Sequence, residues 1–402
     1  MSATRQPDEL PFAEFITLTA LMISLVALSV DAMLPALPAI GSDLGVADAN
    51  HNQLVVTTLM LGMAFGQLLY GPLSDSTGRK PAICLGLAIF AAGCLLSIFA
   101  SSYALMLAGR FAQGLGVAGP RVVMIALVRD CYEGRAMARV MSFVLAVFIL
   151  VPVIAPALGQ GILLIAGWRS IFVAFLALVV VMFLWFTLRQ PETLRDERRV
   201  PFSLRRIAAV VVEVCTNAAS LRYTLASGLV LGAFLGYLSS AQQIFAQQYE
   251  LGGRFPVYFA VLAVGIGVGA YVSARLVMRL GMRFLCNVAL LTTCILSMVF
   301  LVWVYLQSGH PALWQLMSYL MIVLCCVGVL FGNLNALAMQ PLGHIAGVGA
   351  AVIGSIATLL SVPLGMLVGH SYDGGVLPLT LGFTVLTLMA LLVMRSVARS
   401  DV

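Results

Sequence analysis

Three charged side chains stand inside long apolar runs that offer them almost no partners. Asp31 lies in the run that begins near Ile16, and Arg110 and Arg121 lie in the run from about 104 to 127. A charge inside a bilayer costs several kcal/mol unless it is paired or hydrated, so each of the three is a candidate for binding or proton transfer. A carboxyl in such a place can load or lose a proton as its surroundings change, whereas an arginine stays charged. Proton coupling is therefore assigned to Asp31 and its modulation to Arg110. A structural ion pair that locks the two runs together is the other reading.

That chemistry needs elements able to hold charge in lipid. The chain has 402 residues, 61% of them hydrophobic and only 9% charged, and its mean hydropathy is +1.05. A soluble domain would carry about 25% charged residues, so the composition excludes one and indicates an all-α integral membrane protein. Apolar runs bounded by charged or Pro/Gly-rich breaks predict twelve spans, near 16–38, 53–73, 80–100, 104–127, 140–164, 168–189, 222–248, 256–279, 283–306, 312–339, 344–368 and 376–395. Asp31 is about 4 residues past the midpoint of the first span, and Arg110 about 5 residues on the same side of the midpoint of the antiparallel fourth. At ~1.5 Å rise per residue the two share nearly one depth and can meet across a cavity. Arg121, eleven residues beyond Arg110, returns to within roughly 20° of the same face about 16 Å deeper.

The 22 basic residues test this topology. With both termini on one side, that side collects Arg5, Arg79, Lys80, Arg129, Arg135, Arg139, Arg189, Arg195, Arg198, Arg199, Arg205, Arg206, Arg222, Arg275, Arg279, Arg283, Arg395 and Arg399, whereas the other holds Arg169 and Arg254. Basic residues accumulate in cytoplasmic loops, so both termini are expected in the cytoplasm. The net charge of +6 is explained by topology rather than by a basic face for nucleic acid. The apolar run from Ile16 is too long for a cleavable signal, so the first helix is expected to be retained. The polar segment 190–221 separates residues 1–189 from 222–402. Leu204, Ile207, Val211 and Val214 share one helical face there, which would lie along the membrane surface; a flexible tether is the alternative.

Other chemistries find no support. The eight cysteines fall mostly within apolar runs and His51, His310, His344 and His370 near span ends, without a ligand pattern, so no metal, disulfide framework or cofactor is expected. No phosphate-binding Gly-x-x-x-x-Gly-Lys-Ser/Thr is present, which argues against direct use of ATP. An enzyme would need a clustered acid–base or nucleophile constellation, and none is visible.

Between the second and third spans the chain reads Gly71-Pro72-Leu73-Ser74-Asp75-Ser76-Thr77-Gly78-Arg79-Lys80, a ten-residue charged turn. This Gly-x-Leu-x-Asp-x-x-Gly-Arg-Lys resembles the signature loop of major facilitator superfamily transporters, although the basic residue usual after the aspartate is Ser76 here. Leu276, Gly281 and Arg283 echo the offsets of Leu73, Gly78 and Lys80 after the eighth span, with Met278 in place of the acid. That repetition supports two pseudo-symmetric six-helix bundles. Arg110-Phe111-Ala112-Gln113-Gly114-Leu115-Gly116 is similar to the fourth-span pattern associated with proton transfer, and Asp31 followed by Pro35 and Pro38 resembles the first span of drug exporters. Pro152, Ala155-Pro156 and Gly159 resemble in part the fifth-span motif of antiporters. Arg129-Asp130 and His344-Ile345-Ala346-Gly347 narrow the likeness to the bicyclomycin-resistance (Bcr/CflA) type of drug:proton antiporter.

The resemblance implies gating by Gly71, Asp75, Gly78, Arg79, Lys80, Pro152, Pro156 and Gly159. It also implies a monomer that exchanges protons for a small drug across a bacterial inner membrane by rocking of its halves. Polar and aromatic groups in the spans suggest a substrate site of Asp31, Arg110, Gln113, Arg121, Tyr237, Gln242, Asn333 and Asn335, though helix-to-helix glue explains several of them equally. One acid against two arginines favours mostly apolar neutral, zwitterionic or weakly acidic substrates. An exporter or symporter of a sugar, nucleoside or amino acid is the alternative.

Overall fold

Long apolar segments must satisfy their backbone polar groups internally, and the chain does so as helices throughout. The computed structural model describes residues 10–398; Arg5, Asp8, Glu9 and Arg399 lie outside them. The helices are α1 (Phe12–Asp31), α2 (Leu37–Asp43), α3 (Leu54–Thr77), α4 (Arg79–Ile98), α5 (Tyr103–Cys131), α6 (Gly134–Ala166) and α7 (Arg169–Arg189). After the polar segment come α8 (Leu204–Thr216), α9 (Ala218–Gln242), α10 (Phe255–Leu280), α11 (Met282–Leu306), α12 (Leu313–Met339), α13 (Ala346–His370) and α14 (Leu377–Ala398). Among the described residues, twelve spans are long and apolar enough to cross a membrane, with α1 and α2 forming the first and α8 belonging to none.

Packing repeats between the halves. The pairs α3–α5, α4–α5, α4–α7 and α1–α6 in the first half recur as α10–α12, α11–α12, α11–α14 and α9–α13 in the second. Small residues permit these approaches: a Cβ on Gly114 would strike the Leu59 carbonyl of α3, and one on Gly328 would strike the Ile266 carbonyl of α10. Across the halves α3 meets α13 and α6 meets α10. The fold is thus two pseudo-symmetric bundles of six spanning helices.

Two sequence expectations are corrected. The ten-residue turn at 71–80 is mostly helix: α3 continues through Pro72 to Thr77, and the reversal is made at Gly78 alone, with φ of 108°. Only glycine takes that backbone readily, and Gly281, with φ of 79°, makes the matching reversal between α10 and α11. In α8 the buried stripe is Ile207, Val210 and Val214, packed toward α13 and α9, whereas Leu204 is exposed. The buried stripe thus includes Val210 in place of the expected Leu204 and Val211.

Candidate functional site

The first span breaks immediately after Asp31. Pro35 and Pro38 lack the N–H groups that would continue the helical ladder, so residues Leu34–Ala36 tighten into a 3-10 turn before α2 resumes. Asp31 is therefore the last residue of α1, 5% exposed, and its carboxyl makes no hydrogen bond or ion pair with the described residues. Gly159 of α6 fits against the break: a Cβ there would collide with the Ala32 backbone.

The 3-10 turn that follows Asp31 packs against α9 of the second half. The Tyr237 hydroxyl of α9 is buried without a hydrogen-bond partner among the described residues. The Tyr237 ring stacks on Phe259 of α10 at 6.0 Å and lies 6.1 Å from Phe234, which meets Phe331 of α12 edge-on at 5.5 Å. An aromatic wall with one unpaired phenol thus stands on α9, the helix against which the turn after Asp31 packs.

Arg110 is placed elsewhere. Fully buried in α5, it donates from Nε to the Val55 carbonyl of α3, from Nη2 to the Ser29 carbonyl of α1 and from Nη1 to Gln113 Oε1, at 2.9, 2.9 and 2.7 Å. Gln113 in turn donates to Gly93 O and Ser97 Oγ of α4. The guanidinium also lies over the Phe172 ring of α7 at 5.9 Å. Asp31 and Arg110 share a depth as expected but form no ion pair. Arg110 thus bonds the backbone of α1 two residues before Asp31 and leaves the Asp31 carboxylate unpaired.

The remaining candidates divide in the same way. Arg121 is half-buried and forms no hydrogen bond or ion pair with the described residues. Asn333 donates to Ser273 Oγ of α10 and to the Val329 carbonyl, so it joins helices within one half. Asn335 is exposed and bonds its own helix at Phe331 O. Gln242 is buried at the far end of α9, beside Pro38 and Gln53 rather than at the aromatic wall.

At the arginine-rich end, Arg79 donates to Asp75, Ser74 and Asp130, drawing α3, α4 and α5 together. Lys80 Nζ donates to the Thr187 carbonyl of α7. Glu192, one acid among several in the polar segment, accepts the backbone N–H groups of Arg79, Lys80, Thr193 and Leu194. It caps the start of α4 and pins the connecting segment there. A cavity of about 290 Å³ opens beside this network between Asp75, Arg129, Arg206 and His344. Pro152 and Pro156 lie within α6, and Gly71 faces Ala351 of α13 across the halves.

The opposite end carries a second group that sequence reasoning missed. Asn50 Nδ2 donates to the His370 and Tyr372 carbonyls, and Gln53 Nε2 to Gln243 Oε1 and the Gly369 carbonyl. Gln243 Nε2 donates back to Asn50 Oδ1 at 2.8 Å. These bonds join the halves there. The signal was a run of amides, Asn50 to Gln53, opposite Gln242-Gln243 on the arginine-poor side. His51 and His370, expected to form no cluster, stack across the same junction with ring centroids 5.2 Å apart.

The comparisons with known proteins agree with this architecture. The chain is 28% identical over 357 residues to the bicyclomycin resistance protein homolog of Haemophilus influenzae, covering 88% of each chain. It is 28% identical over 354 residues to the multidrug resistance protein MdtL of Escherichia coli, covering 85% of each. Among solved structures, that of a D-xylose-proton symporter superposes with a TM-score of 0.75 at 13% identity, over 95% of this chain and 97% of that one. The profile of the Major Facilitator Superfamily matches residues 19–366, and with twelve spans in two repeated bundles the chain belongs to that superfamily of membrane transporters.

Proposed function

We propose that this transporter exports small, mostly apolar neutral, zwitterionic or weakly acidic drugs across the bacterial inner membrane in exchange for protons, its arginine-rich end in the cytoplasm. The observation that carries the reading is Asp31, a buried carboxyl at a helix break with no hydrogen bond or ion pair among the described residues. A group so placed is free to exchange its proton with water or to trade it for a substrate hydrogen bond as the halves rock. The aromatic wall of Phe234, Tyr237, Phe259 and Phe331 suits flat apolar ligands. Arg121, half-buried and without a hydrogen bond or ion pair among the described residues, offers a positive charge that favours weak acids and disfavours lipophilic cations. The relatives named for multidrug and bicyclomycin resistance support a drug as cargo.

The test is uptake of labelled chloramphenicol by inverted membrane vesicles energised by an imposed pH gradient. Wild type accumulates the drug only with the gradient, and Asp31→Asn binds it without accumulation. If Asp31→Asn pumps like wild type, the coupling carboxylate is not Asp31; if wild type neither binds nor moves the drug, a phenicol-type substrate is wrong.

A further inference from the structure

We propose that Asp48, His51 and His370 form a transition-metal site that clamps the two halves together at the arginine-poor end. His51 lies in the 3-10 turn Ala49–Gln53 that leads into α3, and His370 is the last residue of α13, so the two imidazoles come from different halves. Their rings are nearly parallel, 26° apart, and the ligand atoms of the three side chains all lie within 4.8 Å of one another. Donors in a tetrahedral zinc site stand about 3.3 Å apart, given bonds near 2.0–2.1 Å. Binding therefore draws the three donors together by up to about 1.5 Å, through rotation of exposed side chains.

The backbone around the three residues is already fixed. His51 N–H donates to the Asp48 carbonyl at 2.9 Å, and the His51 carbonyl accepts the Tyr103 hydroxyl at 2.6 Å. The His370 carbonyl is held by Asn50 Nδ2. Asp48 Oδ1 accepts the Asn50 N–H, which leaves its second carboxylate oxygen for an ion. These contacts hold in place the backbone that carries the three side chains. Two imidazole nitrogens and one carboxylate oxygen select a borderline cation such as Zn²⁺, Co²⁺ or Ni²⁺ over Ca²⁺ or Mg²⁺. Three protein ligands leave a fourth position for water.

The site is complete only while this end is shut, because rocking the halves apart separates His51 from His370. An ion that binds one conformation and not the other shifts the population toward the one it binds. Zn²⁺ arriving at this face therefore holds the junction closed and slows turnover, whatever the transported substrate is.

The test is Co²⁺ titration of the full-length, tag-free protein in detergent, followed by its visible absorption. Wild type takes up one equivalent with the bands of imidazole-bound Co²⁺, which Zn²⁺ displaces. The double variant His51→Gln/His370→Gln lacks those bands, and Asp48→Asn binds at least about tenfold more weakly. Absence of saturable binding in wild type overturns the site, as does a folded double variant that binds like wild type. Should the double variant fail to fold, His51→Gln alone carries the comparison with the same readings. A parallel measurement in proteoliposomes follows Ser239→Cys in a chain whose eight native cysteines are replaced by serine: Zn²⁺ slows alkylation of this buried position when His51 and His370 are present and not in the His51→Gln/His370→Gln background, and an equal rate in the two overturns the clamp.

Discussion

At the scale of single residues, the charges inside the bundle have separate tasks. Arg110 binds two backbone carbonyls on two helices and one side chain on its own, and Gln113 extends the network to a fourth element. A lysine ammonium is a compact point charge on a flexible stem and cannot reproduce the planar fork. Arg110→Lys should therefore lower stability by about 1.5–3 kcal/mol, the worth of a lost hydrogen bond to a charged group, read as a drop in melting temperature in detergent. An unchanged melting temperature would remove Arg110 from the framework and return it to the cavity. The depth of Asp31 and Arg110 was legible from the sequence, because residue counts along antiparallel helices translate into depth. Their facing was not. A two-residue offset on α1 decides whether a guanidinium meets a carboxylate or the carbonyl of Ser29, and that depends on helix rotation, which composition does not encode.

At the scale of elements, prolines and distant acids decide where helices stop. The break after Asp31 was foreshadowed by Pro35 and Pro38, whose effect on a helix is local. The capping of α4 was not, since Glu192 lies 113 residues from Arg79 in the chain. In sequence it is one acid in a polar linker, equally suited to a tether. Glu192→Ala should cost about 1–2 kcal/mol, as for other lost helix caps. Amide hydrogen exchange should accelerate at Arg79, Lys80, Thr193 and Leu194 while the rest of α4 keeps its protection. Uniform protection would mean that the cap contributes nothing to the order of the connecting segment.

At the scale of the whole molecule, the repeat was legible because its halves share a turn: Gly78 and Gly281 occupy the same place, and both adopt positive φ. The closure of the arginine-poor end was hidden, because Asn50, Gln53 and Gln243 each read as an ordinary polar residue at a helix end until the halves are assembled. Gln53 makes two hydrogen bonds across the junction. Replacing it by leucine removes both and leaves the Gly369 carbonyl and the Gln243 amide oxygen short of a donor. Each lost bond is worth about 0.5–1.5 kcal/mol. A shift near 1.4 kcal/mol changes the ratio of closed to open molecules about tenfold. The probe is the Ser239→Cys variant, buried beside Gly369 while the junction is shut, treated in whole cells with a membrane-impermeant maleimide. Gln53→Leu should raise its labelling rate about tenfold by exposing the cysteine more often. The rate should fall again when an excess of transported substrate draws the protein toward a closed state. Equal rates with and without Gln53 would mean that these amides follow closure rather than hold it, leaving the packing of α3 on α13 to keep the halves together.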